Sequence, residues 1–206
     1  MMRFIDLTHL LSPETPPYPG DNPLEMRQVR AFGADGYTAW AARGGMHLGT
    51  HIDVPMHMTD DSRRVADFPL GAFCGPAQLI WLPGVEGITA DMLGDITAPR
   101  VLIGTGWDGC FFAEPGRYFA EHPCLDGDAA RKLVACGVQL LGLDFPSPDR
   151  MPFPVHRALL EAGVALCENL TNLAALRGRQ FDFYAAPLKI VAEGSPVRAF
   201  ATERGR

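Results

Sequence analysis

The sequence of 206 residues has no concentrated positive charge, since Lys and Arg number 18 against 24 Asp and Glu, for a net charge of −6. No basic cluster is longer than Arg63-Arg64. Nucleic acids and anionic membrane surfaces are bound by basic patches. The charge pattern therefore predicts neither a nucleic acid nor a membrane as a partner.

Regularly spaced cysteines and long apolar runs are also missing. The five cysteines are odd in number and form no Cys-x-x-Cys pair, which argues against a disulfide framework or a zinc ribbon. No run approaches the roughly 18 apolar residues of a membrane span, and Arg3, Asp6 and His9 interrupt the apolar residues at the start. We expect a cytoplasmic protein whose cysteines are small buried side chains.

Glycine and proline, by contrast, are abundant, with 22 and 18 residues, and predict a fold rich in turns and short strands. The length predicts one domain over residues 1–206. Within it, residues 12–23 (SPETPPYPGDNP) hold five prolines, which exclude a helix and predict an extended, rigid N-terminal arm. Such an arm would suit contact with a neighbouring subunit.

The apolar pattern predicts an α/β fold with more strand than helix. Strands are expected at 43–55, 78–82, 101–103, 138–144 and 164–170, and as a pair over 181–191 around Pro187. Helices are expected at 126–137, with acidic residues at its start and a closing glycine, and at 154–162, with a proline in its first turn.

Half of the six histidines fall in the segment 47–57 (HLGTHIDVPMH). His47, His51, Asp53 and His57 all have odd numbers, so a strand would place them on one side, opposite a mostly apolar side. Clustered histidine and aspartate are typical metal ligands. The segment therefore predicts a metal site, with surface or core histidines as the alternative.

A straight strand does not bring these ligands together, because His47 and His51 would lie about 13 Å apart at the rise of a strand. The backbone must bend. Gly49 is the expected position of a bulge or kink, and Pro55 is expected to end the strand so that His57 turns back over the site.

A second cluster lies about 100 residues further on. His156 opens the second predicted helix, and Glu168 lies on the apolar side of the following strand. The helix advances about 9 Å from residue 156 to 162, and the strand runs back about 13 Å from 164 to 168. The side chains of His156 and Glu168 should therefore lie at a similar height. An unpaired carboxylate on an apolar face is costly, so a metal or another cation should meet Glu168. The alternative is an ion pair with Arg157.

The run His-x-Gly-Thr-His-x-Asp-x-Pro-x-His over residues 47–57 resembles the signature of the cyclase family, which includes bacterial kynurenine formamidases and isatin hydrolases. Further similarity extends over nearly the whole chain, to about residue 195. It lies at 5–8 and 18–21, at 105–107, at 142–144 with 146–147, and at His156 with 168–170. The resemblance implies a swivelling β/β/α fold and a homo-dimer or homo-tetramer.

The resemblance also implies the roles of the clustered residues. His47, His51 and Asp53 would bind one divalent metal ion, and Asp53 with His156 and Glu168 would hold a second ion in dinuclear members. Zinc is expected, with manganese as the alternative, because imidazole and carboxylate ligands suit either metal.

His57 matches the catalytic histidine of the family. The predicted reaction is hydrolysis of an activated amide C–N bond, in which the metal lowers the pKa of bound water from 15.7 toward about 7 and the resulting hydroxide attacks. His57 would take the proton of the water and give it to the departing nitrogen. The expected substrate is N-formylkynurenine or a related N-formyl aryl amine.

Two alternatives to this function remain open. Phe145 stands where the formamidases commonly have threonine, which weakly favours opening of a cyclic amide or lactone, as in isatin hydrolases. The second alternative is a metal- or ligand-binding protein without activity, which His57 disfavours because a storage site needs no proton transfer.

Candidate substrate-binding residues are mostly aromatic, although each could equally belong to the core or an interface. They are Tyr18, Trp40, Phe68, Trp107, Phe145 and Ser147. His9 and His122 have no partner in the sequence and are interpreted as structural.

Overall fold

A computed structural model describes residues 3–204, so residues 1–2 and 205–206 of the predicted domain lie outside the described part. The helices are α1 (Phe32–Asp35), α2 (Pro115–Glu121), α3 (Gly127–Ala135) and α4 (Pro154–Glu161). The strands are β1 (Phe4–Asp6), β2 (Glu25–Arg30), β3 (Ala39–Arg43), β4 (His51–Asp53), β5 (Cys74–Trp81), β6 (Gly87–Ile88), β7 (Arg100–Gly104), β8 (Cys124–Leu125), β9 (Leu140–Leu143), β10 (Ala165–Glu168), β11 (Phe181–Tyr184), β12 (Gly194–Pro196) and β13 (Phe200–Glu203). Short 3₁₀ turns lie at Pro55–His57, Val65–Asp67, Leu70–Ala72, Asp91–Leu93, Trp107–Cys110 and Leu173–Leu176.

Nine strands form one mixed sheet in the order β1-β13-β11-β5-β7-β9-β10-β4-β12. The central strands β5, β7, β9 and β10 are parallel, and the flanking strands pair antiparallel. Parallel strands covered on both faces have continuous apolar sequences, which is the pattern seen in β7 and β9. The predicted strand-rich α/β fold is confirmed.

Alternate side chains of the central strands enter two different cores. Val101 and Leu141 pack with α3 and α4 on one face of the sheet. Leu102, Leu140 and Cys167 pack on the opposite face with residues of β11 and β13. Because both faces of the sheet are covered, the register of β9 and β10 is fixed. The register in turn determines where the polar side chains at the ends of these strands lie.

Most of the predicted elements are present. The strands expected at 78–82, 101–103, 138–144 and 164–170 correspond to β5, β7, β9 and β10, and the two expected helices to α3 and α4. Asp126 caps α3, since its carboxylate accepts a hydrogen bond of 2.7 Å from the backbone N–H of Ala129. As predicted, Pro154 occupies the first turn of α4.

Two predicted strands are wrong in extent. The segment 43–55 is not one strand, because β3 ends at Arg43 and the chain bends until β4 begins at His51. The expected pair at 181–191 reduces to β11, followed by a single bridge between Pro187 and Val197. Proline has no N–H to continue a ladder of hydrogen bonds, so the chain leaves the sheet there.

The strands β2 and β3 were not predicted. They form a separate antiparallel ribbon joined by α1, and every residue of β2 is exposed. The ribbon carries Met26 and Trp40, which are 39% and 58% exposed.

The proline-rich segment 12–23 contains two turns. The N–H of Thr15 donates to the carbonyl of Ser12 and that of Asp21 to the carbonyl of Tyr18, each at 2.9 Å. Among the helices between residues 3 and 204, none has the length and apolar character needed to cross a membrane.

Candidate active site

The bend predicted at Gly49 and the strand end predicted at Pro55 are both confirmed. Gly49 has φ of 59°, in the left-handed region that favours glycine. Its carbonyl accepts two hydrogen bonds of 2.8 Å, from the ring of His51 and from the side-chain amide of Asn169. Pro55 starts a 3₁₀ turn that ends at His57. The chain therefore turns sharply on both sides of β4.

Strand pairing sets the first contacts of the site. β4 lies between β10 and β12, and its register places His51 directly opposite Glu168. Residues opposite each other in an antiparallel pair project from the same face of the sheet. As a result, His51 Nε2 lies 3.5 Å from Glu168 Oε2.

Asp53 lies at the centre of the cluster. Its Oδ1 is 2.7 Å from His47 Nδ1 and 3.5 Å from His51 Nε2, and its Oδ2 is 3.7 Å from His156 Nε2. His156 Nδ1 lies 3.9 Å from Glu168 Oε1. The structure thus brings together all five residues that the sequence proposed as metal ligands.

A glycine permits this close packing. A Cβ on Gly194, at the start of β12, would lie 3.0 Å from His47 Cε1 and 3.1 Å from Asp53 Oδ1. Any larger residue would push the ring and the carboxylate apart.

Several polar atoms of the cluster are buried without a hydrogen-bond partner in the described part of the chain. They are both carboxylate oxygens of Asp53, Oε1 of Glu168, and Nε2 of His51 and of His156. His47 comes close to Asp53, but its ring N–H does not point along a hydrogen bond to it. Buried polar atoms are nearly always paired, so unpaired atoms that converge on one point mark a position for a ligand.

The two carboxylates of the cluster are buried beside each other, so ionisation of both requires positive charge nearby. Asp53 and Glu168 are only 1% and 4% exposed. Burial opposes ionisation of Asp53, but the surrounding imidazoles outweigh it and lower its pKa. Burial and the nearby Asp53 carboxylate raise the pKa of Glu168 well above its usual value. For His47, burial opposes protonation, but the neighbouring carboxylates raise its pKa to about 9.

Divalent metal ions fit this donor set. Ligand atoms of His47, Asp53 and His57, and separately of His51, Asp53 and Glu168, lie within 4.8 Å of one another. Both groups contain Asp53, so its carboxylate would be a ligand common to both. Imidazole nitrogens and carboxylate oxygens are ligands of zinc and manganese, so the chemistry of the donors agrees with a centre of one or two ions.

Three of the imidazoles are held through the ring nitrogen that does not face Asp53. His51 Nδ1 donates to the Gly49 carbonyl at 2.8 Å, and His156 Nδ1 lies 3.2 Å from the hydroxyl of Ser147. His47 Nε2 lies 3.3 Å from Glu193 Oε1. Such partners orient metal-ligating histidines and fix their tautomers.

Sequence reasoning missed Glu193. Its backbone carbonyl accepts a hydrogen bond of 3.1 Å from the N–H of Val54, just before β12 pairs with β4. The position of Glu193 beside His47 depends on this pairing of distant segments, so no local spacing pointed to it.

His57 differs from the other three histidines. No group in the described part of the chain hydrogen-bonds its ring, and burial lowers its pKa. Its ring centroid lies 4.2 Å from that of His47 and 5.5 Å from that of His156. The arrangement leaves a neutral imidazole facing the cluster, able to accept and return a proton.

The cluster lies at the base of a cavity of about 210 Å³. Its remaining walls are largely apolar and include Pro16, Tyr18, Met58, Phe119, Pro146 and Phe153. Pro16 and Tyr18 belong to the proline-rich segment, which therefore contributes to the cavity of its own chain.

Two of the six candidate substrate residues, Tyr18 and Ser147, line this cavity. The other four lie elsewhere. Trp40 is on the exposed ribbon. Phe68 packs on Phe73, with ring centroids 6.2 Å apart.

Trp107 and Phe145 are also held away from the cavity. The indole N–H of Trp107 donates to the carbonyl of Tyr118 at 3.1 Å. Phe145 is completely buried in the core, where its ring stacks with that of His122. Two further aromatic residues that line the cavity, Phe119 and Phe153, were not singled out from the sequence.

Glu168 contacts His51 and His156, as described above, rather than Arg157. Arg157 is exposed and makes no ion pair with Glu168 among residues 3–204. The carboxylate therefore faces the cluster.

Comparison with known proteins links this site to hydrolases. The family described as "Putative cyclase" matches residues 5–150. A kynurenine formamidase of Geobacillus thermodenitrificans is 33% identical over 214 aligned positions, which cover 100% of both chains.

Solved structures give the same picture. Isatin hydrolase A from Labrenzia aggregata, bound to benzyl benzoate, superposes with a TM-score of 0.87 at 26% identity, covering 98% of this chain and 93% of that one. A predicted metal-dependent hydrolase from Bacillus stearothermophilus superposes with a TM-score of 0.82 at 27% identity, covering 99% and 100%.

Proposed function

Because the chain belongs to the putative cyclase family, we propose that it is a metal-dependent hydrolase of amide C–N bonds that acts on N-formylkynurenine or a related N-formyl aryl amine. The observation that carries this proposal is the convergence of unpaired imidazole and carboxylate atoms at the base of an apolar cavity. The full-length similarity to a kynurenine formamidase supports the choice of substrate.

The residues that would hold the metal are those that surround Asp53. His47, His51 and Asp53 form one set, and Asp53 with His156 and Glu168 forms the second. We propose zinc, with manganese as the alternative. When bound, a divalent ion supplies Lewis acidity, which polarises a carbonyl and lowers the pKa of water.

His57 provides the proton transfer. Its neutral ring accepts a proton from the attacking water as the C–O bond forms at the formyl carbon. It then donates that proton to the departing nitrogen as the C–N bond breaks, which yields the aryl amine and formic acid, and the acid loses its remaining proton to water to give formate. An arylamine leaves more readily than an alkylamine, which favours an aryl amide as substrate.

The cavity walls select and position the substrate. Tyr18, Phe119 and Phe153 present aromatic surface beside the cluster. An aryl ring bound against these residues would exclude water from the apolar part of the cavity. It would also place the attached amide close to His57.

A second candidate function is ring opening of a cyclic amide, supported by the superposition on an isatin hydrolase. The substitution at Phe145 no longer favours it, because Phe145 lies in the core and does not narrow the cavity.

Metal analysis combined with a substrate panel tests these functions. We expect one or two equivalents of zinc or manganese per chain, and faster hydrolysis of N-formylkynurenine than of isatin or simple lactones. Preference for isatin would favour the second candidate. A fully metallated protein inactive on every substrate would instead support the non-catalytic binding protein.

We also propose a homo-oligomer and a single domain over the whole chain. The exposed ribbon supports oligomerisation, because an isolated two-stranded ribbon is marginally stable in water and needs a surface to cover it. Size-exclusion chromatography with light scattering should give a dimer or tetramer, and a monomer would contradict this. The cytoplasmic location stays a prediction from the sequence.

A further inference from the structure

Phe153 has an unusual backbone conformation. Its φ of 62° and ψ of 46° lie in the left-handed region, immediately before α4. This region is unfavourable for a bulky side chain and is normally occupied by glycine, asparagine or aspartate. When a residue occupies a backbone conformation that it disfavours, its side chain is usually needed there for function.

The surrounding backbone fixes this conformation. The N–H of Phe153 donates to the carbonyl of Arg150 at 2.8 Å, and its carbonyl accepts from the N–H of Arg157 at 3.1 Å. Pro154 follows directly as the first residue of α4. The conformation is therefore set by the turn and the helix, whichever side chain is attached.

The start of α4 does not need the Phe153 side chain. The carboxylate of Asp149 accepts a hydrogen bond of 2.6 Å from the N–H of Val155 and so satisfies one of the free donors at the helix start. Asparagine or glycine at position 153 would fit the backbone better and would leave this cap intact.

The ring of Phe153 faces the cavity. Its only aromatic neighbour among residues 3–204 is His156, at a centroid distance of 6.3 Å and an interplanar angle of 81°. By contrast, Phe119 on the same cavity packs against both Tyr18 and Tyr118, at 5.5 and 5.2 Å. Phe119 is thus part of the core, whereas the Phe153 ring keeps a free surface.

Phe153 also lies at the cavity mouth. The two residues before it, Met151 and Pro152, are exposed, whereas Phe153 itself is half-buried. From this position its ring meets a ligand as the ligand passes from solvent towards His156.

We propose that Phe153 is a specificity-determining residue, whose ring forms an aromatic wall that selects aryl over saturated substrates. Phenylalanine is retained on this unfavourable backbone because its ring there lies across the cavity, beside the proposed metal ligand His156. The inference rests on the proposed function for the identity of the substrate. The preference for aromatic ligands can be measured without turnover.

The test compares benzamide with cyclohexanecarboxamide, which have similar size but differ in aromaticity. Binding of each to the metal-loaded protein is measured by calorimetry, and thermal stability is measured in parallel. The variants are Phe153→Gly, Phe153→Asn and Phe153→Leu, with Phe153→Tyr as the conservative variant. Phe112→Leu is the control, because Phe112 is half exposed and does not line the cavity.

We expect Phe153→Gly and Phe153→Asn to bind benzamide about 10-fold more weakly, with little change for cyclohexanecarboxamide. Their Tm should stay the same or rise by a few degrees, because both residues tolerate the left-handed backbone. Phe153→Leu should lose the aromatic preference without a gain in Tm. Phe153→Tyr and Phe112→Leu should retain the preference.

Two results would overturn the proposal. The first is an unchanged ratio of the two affinities in Phe153→Gly and Phe153→Asn. The second is a fall in Tm of several degrees with equal loss of both ligands, which would assign the ring to folding alone. If the wild-type protein prefers benzamide but has no formamidase activity, the proposed substrate is wrong. The role proposed for Phe153 would not be affected by that result.

Discussion

His47 Nδ1 lies 2.7 Å from Asp53 Oδ1, the shortest contact between ionisable groups of the cluster. Two further histidines, His51 and His156, approach the same carboxylate at 3.5 and 3.7 Å. Asp53 is therefore the residue on which the whole cluster converges, and it is the one member shared by both candidate ligand groups.

Asp53→Ala should lose bound metal. Removing the shared carboxylate eliminates a ligand of both proposed ions, so we expect metal affinity to fall by more than about 100-fold, beyond the effect of losing an outer partner. Metal content per chain, measured by mass spectrometry after dialysis, checks this. Asp128→Asn on the exposed face of α3 is the control. A fully metallated Asp53→Ala protein would contradict the shared-ligand assignment.

Glu193→Ala should weaken metal binding without removing a ligand. Glu193 accepts from the distal nitrogen of His47 and so keeps the other nitrogen directed at Asp53. Loss of such a partner costs roughly 10- to 100-fold in metal affinity. Competition with a chelating dye gives the affinity directly.

Glu193→Gln separates the two contributions of this carboxylate. The amide oxygen can still accept the hydrogen bond but carries no charge, so an intermediate affinity is expected. Glu161→Gln, on the exposed end of α4, is the matched control. Equal affinities in wild type and Glu193→Ala would show that His47 needs no outer partner.

His57→Ala should retain metal and lose turnover. His57 is the one cluster histidine whose ring is not hydrogen-bonded in the described structure, and a proton-transferring residue contributes about 10²- to 10⁴-fold to rate. We expect kcat to fall by that factor while metal content stays at the wild-type level. Loss of metal would instead make His57 a ligand, consistent with its closeness to His47 and Asp53.

The proximity of His47, His51 and Asp53 could be predicted from the sequence because the pattern that indicates it is local. Polar and apolar residues alternate over residues 47–57, and Gly49 and Pro55 mark bends. Together these features indicate polar side chains on one side of a bent strand. The return from α4 to β10 similarly fixes the level of His156 relative to Glu168, since both elements have a known rise per residue.

The cavity walls could not be predicted in the same way. Phe119 in α2 and Phe153 before α4 lie more than 60 residues from the histidine motif, and only the fold brings them to the same cavity. Proximity in sequence to the histidine motif instead suggested Trp40 and Phe68, which the chain directs elsewhere. The aromatic content of a site depends on topology, which local patterns do not determine.

Stability should fall in mild acid because two histidines outside the cluster are buried. Burial lowers the pKa of both His9 and His122 to about 4, from 6.5 in the unfolded chain. Between these values the unfolded chain binds more protons, so the contribution to stability is complete above pH 6.5 and is lost as the pH falls towards 4. Each histidine should cost about 1 kcal/mol between pH 7.5 and 5.5.

His122→Gln isolates one of these contributions. Urea unfolding with EDTA present, at both pH values, should show a smaller loss of stability in the variant than in the wild type. The cluster histidines are common to both proteins, so the difference belongs to His122. Identical pH dependence would mean that His122 is not the source.

Metal should stabilise the protein through Asp53 and Glu168, because both oxygens of Asp53 and Oε1 of Glu168 are buried without hydrogen-bond donors in the described structure. A ligand at 100 times its Kd adds about 2.7 kcal/mol to the free energy of unfolding. For a chain of this size, that corresponds to a rise in Tm of roughly 5–10 °C.

Glu168→Gln removes one of two buried carboxylates, so its Tm in EDTA should equal or exceed that of the wild type. Its rise in Tm on adding zinc should be smaller than that of the wild type. Calorimetric scans of both proteins with and without zinc measure the four values. If Glu168→Gln gained as much from zinc as the wild type, the carboxylate would have to be stabilised by something other than the ion.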